Sequence, residues 1–557
     1  MITKETRSRW QSLLFVLAFL AWSATFASGQ RRERKVDTWK PLHYDVAISF
    51  NQQLTGISLA RTEITLEVLR PNLSNIELEF GEMPIESVSV SGAPARFDRK
   101  ADTLSVILPR RAKTGEQINL AVTYHGRPKD GLILANDRDG RASATGDNWP
   151  NRVHQWIPCL DHPSAKATVS FTIVAPSRET VVANGKFIAS TTNAATSSTT
   201  WKFEEAKPIP AYCMVIAVSE GAKLDATEPT VTPLSYYVPQ RDRAYAPKGF
   251  SAAAPALAFF SETVAPYPYE KLALIIGATR FGGMENSSAI VFSNTLFDLR
   301  GDQKMTAHFG IPEGIESVVA HEIAHQWFGD SVTESTWADL WLSEGFATYF
   351  AGLFIEKYEG QDAFHKYMRS AAARYLAYEK QRNAPIHDTE TLDLMKLLNE
   401  NNYEKGAWVL HMLRRRLGDE AFFRGLRVYY DAHREANATT EDLRMALEKA
   451  SGTSLKDFFS RWVYGSGHPS YHANWSWNQR TGKEGTLTVR LEQTQAGFPF
   501  LMPVPLEILT QTGTSKQLIK PAGKLTVARF TFKERPTGLR LDPDETILKE
   551  ATVERGR

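Results

Sequence analysis

The apolar residues of this 557-residue chain change their period twice, and this constrains the fold more than any other feature. From about residue 40 to residue 223 the period is two: Tyr44, Val46, Ile48 and Phe50 alternate with other residues, as do Ile64, Leu66 and Val68, and later Leu104, Val106 and Leu108. Such alternation belongs to strands with one buried face. Turn residues such as Ser91, Gly92 and Pro94 punctuate the runs, so an all-β domain of two packed sheets is expected over residues 36–225. The character changes near residues 227–233.

From residue 252 to 466 the pattern is mostly helical, with one strand-like run at residues 272–276 leading into Gly282 and Gly283. One helix is read from Thr440 as N-cap, followed by Leu443, Ala446, Leu447 and Ala450 on one face. Gly465, Ser466, Gly467, His468 and Pro469 break the helical pattern. Leu487, Val489 and Leu491 then alternate again, as do Val504, Leu506 and Ile508. The expected fold class is multidomain α+β: the N-terminal β domain, a mostly helical domain over residues 234–466, and a small β-sandwich over residues 470–550.

Lys plus Arg number 65 against 63 for Asp plus Glu, a balance that gives no electrostatic footprint for a nucleic-acid partner; a peptide or small-molecule substrate fits better. Lys4, Arg7 and Arg9 precede an apolar run at residues 13–21 and the small residues Ala27, Ser28 and Gly29, the order of a secretory signal peptide over residues 1–29. This predicts export to the periplasm or extracellular space, with no stable membrane insertion after cleavage. The run is shorter than the ~20 residues of a spanning helix. Arg31, Arg32, Arg34 and Lys35 disfavour translocation, which keeps an N-terminal membrane anchor as the alternative. Cys159 and Cys213, the only cysteines, form either one bridge or two free buried thiols.

His321, Glu322, Ile323, Ala324 and His325 form the pattern H-E-x-x-H, and Ile315, Val318, Val319 and Ile323 suggest a buried helix around it, ending at Gly329. Histidines one turn apart share a helix face, so both imidazoles can reach one metal, with Glu322 beside it and outside its coordination shell. The pattern alone also fits two core or surface histidines beside a solvated glutamate. A second apolar segment, residues 337–349, carries Glu344 one short helical hairpin further on, where a carboxylate can supply a third ligand. Zinc held by two histidines and a glutamate keeps a fourth position open for water, the arrangement of a hydrolytic site. It lowers the pKa of that water to roughly 7, and Glu322 is placed to take the proton as a carbonyl is attacked.

Four separated blocks then resemble the zinc aminopeptidases of peptidase family M1, which include aminopeptidase N and leukotriene hydrolase. They are Gly282-Gly283-Met284-Glu285-Asn286, similar to the family's G-x-M-E-N motif; the H-E-x-x-H segment; Trp341-Leu342-Ser343-Glu344-Gly345-Phe346-Ala347; and Tyr403-Glu404-Lys405-Gly406. Weaker echoes lie at Pro158-Cys159-Leu160-Asp161 and Val182-Ala183-Asn184-Gly185. The resemblance implies a thermolysin-like catalytic domain with one Zn2+ per chain on His321, His325 and Glu344. It implies that the enzyme trims peptides with a free N-terminus: Glu285 binds the α-ammonium, and Gly282, Gly283 and Met284 flank the substrate as an edge strand. Tyr403 then donates its hydroxyl to the oxyanion, a preorganised donor of a type worth ~2.7–4 kcal/mol.

Two departures stand out. Gly146-Asp147-Asn148-Trp149-Pro150 occupies the stretch where many relatives carry a Gln or Glu for the substrate's amino end, and Asp147 is the candidate stand-in. About 90 residues follow Pro469, so no large C-terminal helical domain is expected and access to the metal should be more open. Competing readings are an epoxide hydrolase of the leukotriene type, which shares the metal site, and a non-enzymatic scaffold, which retention of all these residues disfavours.

Overall fold

The computed structural model describes residues 33–299, 305–306, 312–479 and 484–556; the leader read over residues 1–29 lies outside them. Among the described residues no helix is long and apolar enough to cross a membrane.

Alternation places Tyr44, Val46 and Ile48 on the buried face of the strand Trp39–Phe50, with Ile64, Leu66 and Val68 buried beside them on Ile57–Val68. These strands are antiparallel neighbours in an eight-stranded sheet, in which Trp39–Phe50 also pairs in parallel with Lys166–Pro176. A three-stranded sheet built around Thr103–Ala112 contributes Leu104 and Val106 to the same core. The N-terminal region holds three sheets rather than the expected two. The third runs Thr180–Ala183, Ile216–Ser219, Ala142–Gly146, Leu132–Asn136. Its Val181 and Val218 face the N-terminal core while Val182 and Ala217 face a second cluster. Strands buried on both faces carry continuous apolar runs, so the period-two pattern does not mark them.

That second cluster joins the N-terminal and catalytic regions: Trp149, Tyr212 and Val215 pack with Ile275, Met284, Val291 and Trp337. The catalytic region opens with a five-stranded mixed sheet in the order Ala222–Asp225, Leu234–Val238, Leu272–Gly277, Ala289–Ser293, Gly283–Met284. Ala222–Asp225, read from the sequence as the end of the β domain, is instead an edge strand here, and Ala222 belongs to the catalytic core. The opposite edge is the two-residue strand Gly283–Met284.

Helices supply the rest. Ile315–His325 packs against Trp341–Glu359, whose first fourteen residues are all buried, the signature of a helix at the centre of a domain. Gly345 on this helix lets the backbone of Gly406, at the start of the helix Gly406–Leu417, approach so closely that a Cβ on Gly345 would lie 2.9 Å from the Gly406 Cα. The helix read with Thr440 as N-cap begins one residue earlier. Thr439 accepts from the Asp442 N–H and the Asp442 carboxylate accepts from the Thr439 N–H, a reciprocal capping box.

The C-terminal strands form a four-stranded and a three-stranded sheet, burying Leu487, Val489 and Leu491 on one and Val504, Leu506 and Ile508 on the other. Their core is continuous with that of the catalytic region. Phe500 packs on Trp462 of the last catalytic helix at 4.6 Å, with the Arg461 guanidinium 4.1 Å from its ring centroid. Cys159 and Cys213 are both free and buried.

Gly345→Ala forces a methyl into the Gly406 backbone and should destabilise the fold by about 1–3 kcal/mol, the usual cost of overpacking. Denaturant unfolding checks this; an unchanged midpoint would show that the two helices separate without cost.

Candidate metal centre and active site

His321 and His325 lie one turn apart at the C-terminal end of the helix Ile315–His325, ring centroids 4.8 Å apart. The helix was expected to run to Gly329. Instead it stops at His325 with Gln326 as C-cap, because the final N–H groups turn back to carbonyls three residues earlier: Gln326 N to Ile323 O and Trp327 N to Ala324 O. The chain reverses through Gly329 at φ +125°, runs through the short strand Val332–Glu334 and a 3-10 turn at Trp337–Asp339, and enters the helix Trp341–Glu359. Glu344 sits in the first turn of that helix, where the peptide dipoles favour its negative charge.

The three side chains converge. Nε2 of His321 and Nε2 of His325 are 3.1 Å apart, and Oε2 of Glu344 lies 3.4 and 3.3 Å from them. Ligands on a tetrahedral zinc, with bonds near 2.0–2.1 Å, stand about 3.3 Å apart. Oε2 of Glu344 is buried and has no hydrogen-bond donor of acceptable geometry among the described residues. Nδ1 of His325 meets the Phe328 carbonyl at 3.2 Å and the Ser343 hydroxyl at 3.0 Å, which places its proton there and leaves the Nε2 lone pair facing the other ligands. These residues fit a zinc ion. Gly329 completes the support, since a Cβ there would stand 2.4 Å from Ser343 Oγ and 3.1 Å from His325 Nδ1.

Glu322 faces the edge strand. A Cβ on Gly283 would lie 2.2 Å from its Oε1, so glycine at 283 lets the carboxylate lie flat against the backbone. Burial raises the Glu322 pKa well above the usual range, reinforced by the charges of Glu285 and Glu344 and opposed by His325. Glu285 follows on the same strand edge, 5% exposed; burial raises its pKa to about 7, with Glu344 and Asp147 adding to the effect and His325 opposing it. Gly282 and Gly283 are partly exposed, whereas the Met284 side chain is packed into the cluster between the two regions. Met284 thus has only its backbone to offer a bound molecule. Asn286 is fully buried and donates to the Met284 carbonyl at 3.2 Å, closing the turn behind Glu285.

Tyr403 lies in a π-helical turn, Asn401–Lys405, that feeds the helix Gly406–Leu417; single π turns recur at functional sites. Its ring is parallel to His321 within 5°, centroids 6.0 Å apart, which brings the phenol to the metal ligands. Burial, then the charge and hydrogen bond of Glu344, hold its pKa well above 10, so it is a proton donor at neutral pH.

Asp147 does not present a free carboxylate. Its Oδ2 accepts from Arg152 at 2.9 Å and its Oδ1 from the Thr279 hydroxyl at 2.9 Å. Neither Arg152 nor Thr279 stands out in the sequence, and the second contact spans 132 residues. Ser343 and Gly329 are read from the sequence only as a motif member and a helix end, yet their position signals support: each lies next to or just beyond a candidate metal ligand, where orienting partners are expected. Sequence reasoning noted Asn184 without a role. That side chain donates to the Ser287 carbonyl at 2.6 Å and to the Cys213 carbonyl at 2.8 Å, and accepts from Val215 N, bracing the turn after Glu285 from the N-terminal region.

Two family models match: the peptidase M1 N-terminal domain over residues 40–213 and the peptidase family M1 domain over residues 249–462, the second spanning every residue of the site except those of the Asp147 stretch. The chain belongs to peptidase family M1. Among M1 relatives, the tricorn protease-interacting factor F2 of Thermoplasma acidophilum is 25% identical over 81% of this chain and 56% of its own length. The glutamyl aminopeptidase of Rattus norvegicus is 26% identical over 78% of this chain and 48% of its own length. The chain thus spans about half the length of the curated M1 relatives it matches. The crystal structure of an M1 zinc metallopeptidase from Deinococcus radiodurans superposes with a TM-score of 0.65 at 25% identity, covering 79% of this chain and 96% of that one. A glutamate-to-alanine variant of that M1 enzyme was solved with a Tyr-Ser-Ala substrate bound.

Gly283→Ala should displace the Glu322 carboxylate while leaving the metal ligands in place. Stoichiometric zinc with kcat lowered at least about tenfold is the expected result, since misplacing a reacting group by about 1 Å costs up to 10²-fold. A fully active variant would mean that Glu322 has room to yield.

Proposed function

We propose that the chain is a zinc aminopeptidase that hydrolyses the first peptide bond of peptides with a free amino end, with one zinc ion held by His321, His325 and Glu344. The observation that carries this reading is Glu285: a carboxylate 5% exposed, directly after the edge strand Gly283–Met284 and close enough to feel the charges of His325 and Glu344. A buried carboxylate is stabilised by an arriving cation, and the cation common to all unblocked peptides is the α-ammonium. Anchored there, the peptide places its first carbonyl at the metal ligands and extends along the backbone of Gly282, Gly283 and Met284.

Zinc, when bound, polarises the scissile carbonyl and acidifies water. Glu322, packed flat on Gly283, takes the proton of the attacking water and then delivers it to the leaving amine. Tyr403 donates its hydroxyl to the oxyanion of the tetrahedral intermediate. Asp147, paired with Arg152 and Thr279, keeps that guanidinium and hydroxyl in the wall near Glu285 and is not itself the anchor. The Tyr-Ser-Ala tripeptide bound by the Deinococcus enzyme is a peptide of the kind this reading requires.

Glu322→Gln should keep stoichiometric zinc and lower kcat by about 10²–10⁴-fold. Tyr403→Phe should lower kcat by about 10²–10³-fold, also with zinc retained. A kinetically silent substitution at either position would remove that residue from the chemistry.

The reading as a whole is tested by a mass-spectrometric time course on one peptide in free and N-acetylated forms. The free peptide should shorten one residue at a time while the acetylated one persists, and Glu285→Ala should narrow the difference mainly by slowing cleavage of the free peptide. Efficient internal cleavage of the blocked peptide by the unmodified enzyme would overturn end recognition by Glu285.

A further inference from the structure

Glu285 can select the first peptide bond only if its carboxylate stands at a fixed distance from the metal ligands, yet the two belong to different elements. Glu285 follows a two-residue edge strand, and the histidines sit at the end of a helix. Edge strands this short have little stability of their own. Something must hold one against the other.

Gln326, the residue after the second histidine, is fully buried and uses its whole amide for this. Its Nε2 donates to the Glu285 carbonyl at 2.7 Å and to Asp330 Oδ2 at 2.8 Å. Its Oε1 accepts from the Ser288 N–H at 2.8 Å and from the Tyr267 hydroxyl at 3.0 Å, whose single proton it shares with the Lys271 carbonyl at 3.1 Å. Two donors and two acceptors exhaust the capacity of a primary amide. The partners also settle which way the amide faces: a backbone carbonyl only accepts and a backbone N–H only donates, so the group cannot be turned over without losing both. The two backbone contacts bracket the anchor turn, one at Glu285 and one at Ser288. Ser288 holds φ +62°, a left-handed conformation unusual for serine that persists where surrounding contacts over-determine it. Those contacts also include the Ser288 hydroxyl on Glu205 at 2.9 Å and Lys271 Nζ on the Ser288 carbonyl at 2.6 Å.

We propose that Gln326 is a positioning residue that sets the distance between the amino-end anchor and the metal ligands, and so determines how far into a substrate the enzyme counts before it cuts. The inference rests on the reading of Glu285 as the ammonium anchor. Because Gln326 is adjacent to His325 in the chain, the metal ligand and the clamp on the anchor move as one rigid end of the helix.

The test compares alanyl and β-alanyl chromogenic substrates, which differ by one methylene between ammonium and scissile carbonyl. Q326E keeps both acceptor contacts and removes the N–H groups that face the Glu285 carbonyl and Asp330. Wild type should favour the alanyl substrate strongly. Q326E, with zinc content unchanged, should reduce the alanyl-to-β-alanyl ratio of kcat/KM at least tenfold, a change of preference that loss of stability alone does not produce. An unchanged ratio in zinc-loaded Q326E overturns the proposal. If Q326E does not fold or load zinc, Tyr267→Phe decides: it removes one hydrogen bond to the same amide, and a ratio lowered two- to threefold supports the proposal while an unchanged ratio overturns it. An N-acetyl-alanyl substrate separates the two readings. Wild type that cleaves it as fast as the free form loses the Glu285 anchor itself; wild type that discriminates, with Q326E retaining the full alanyl preference, loses only the clamp.

Discussion

A carboxylate oxygen held out of water without a well-aligned donor is among the costlier things a fold can contain, and among the described residues Oε2 of Glu344 is such an atom. It lies equidistant, within 0.1 Å, from Nε2 of His321 and Nε2 of His325. A cation at their common centre would meet all three groups at once. The surrounding architecture keeps that geometry: the tightened end of the histidine helix, the reversal at Gly329, the Ser343 hydroxyl on His325, and the close backbone contact of Gly345 with Gly406 that sets where the glutamate helix lies. In an M1 enzyme the metal supplies reactivity, and the protein's contribution is the cage that holds the three side chains together.

The N-terminal region belongs to this cage. Its β-structure reaches the anchor turn through Asn184 and Glu205, and the packed side chains of Trp149, Tyr212 and Val215 press on Met284 from behind. Lys166, on a strand of the large sheet, donates to the carbonyls of Asp330 and Ser331 just beyond the metal helix, both at 2.8 Å. A region that carries none of the candidate ligands therefore fixes both the turn at Glu285–Ser288 and the chain at Asp330–Ser331 beside them.

Local pattern and spacing made much of this legible. The i, i+4 histidines, the carboxylate on the next apolar helix and the alternation of Tyr44, Val46 and Ile48 depend on neighbours in sequence, and the structure places each as that logic requires. What stayed hidden depends on distant neighbours. Asp147 carries the right charge for an ammonium, but its partner Thr279 is 132 residues away. Val182 and Ala217 read as unremarkable apolar residues because their sheet is covered on both faces. Ala222–Asp225 shows the same alternation whichever sheet it joins. The misplaced cap at Thr440 is a different kind of miss: Thr439 and Asp442 stand three apart, and that spacing alone favours the earlier threonine.

The parallel pairing of Trp39–Phe50 with Lys166–Pro176 also bears on how the chain comes into being. His43 meets Thr168 across that pair, 125 residues downstream. At a synthesis rate of about 5–20 residues per second, the first strand waits roughly 6 to 25 s before its parallel neighbour exists. Its antiparallel neighbour Ile57–Val68 is available almost at once, so a nascent chain first presents an unfinished hairpin, open on the Ile57–Val68 side until Gln117–Gly126 is made and on the Trp39–Phe50 side until Lys166–Pro176 is made. The edge of the first strand is therefore the last part of the large sheet's centre to be closed, and it closes only when residues near 176 have been made.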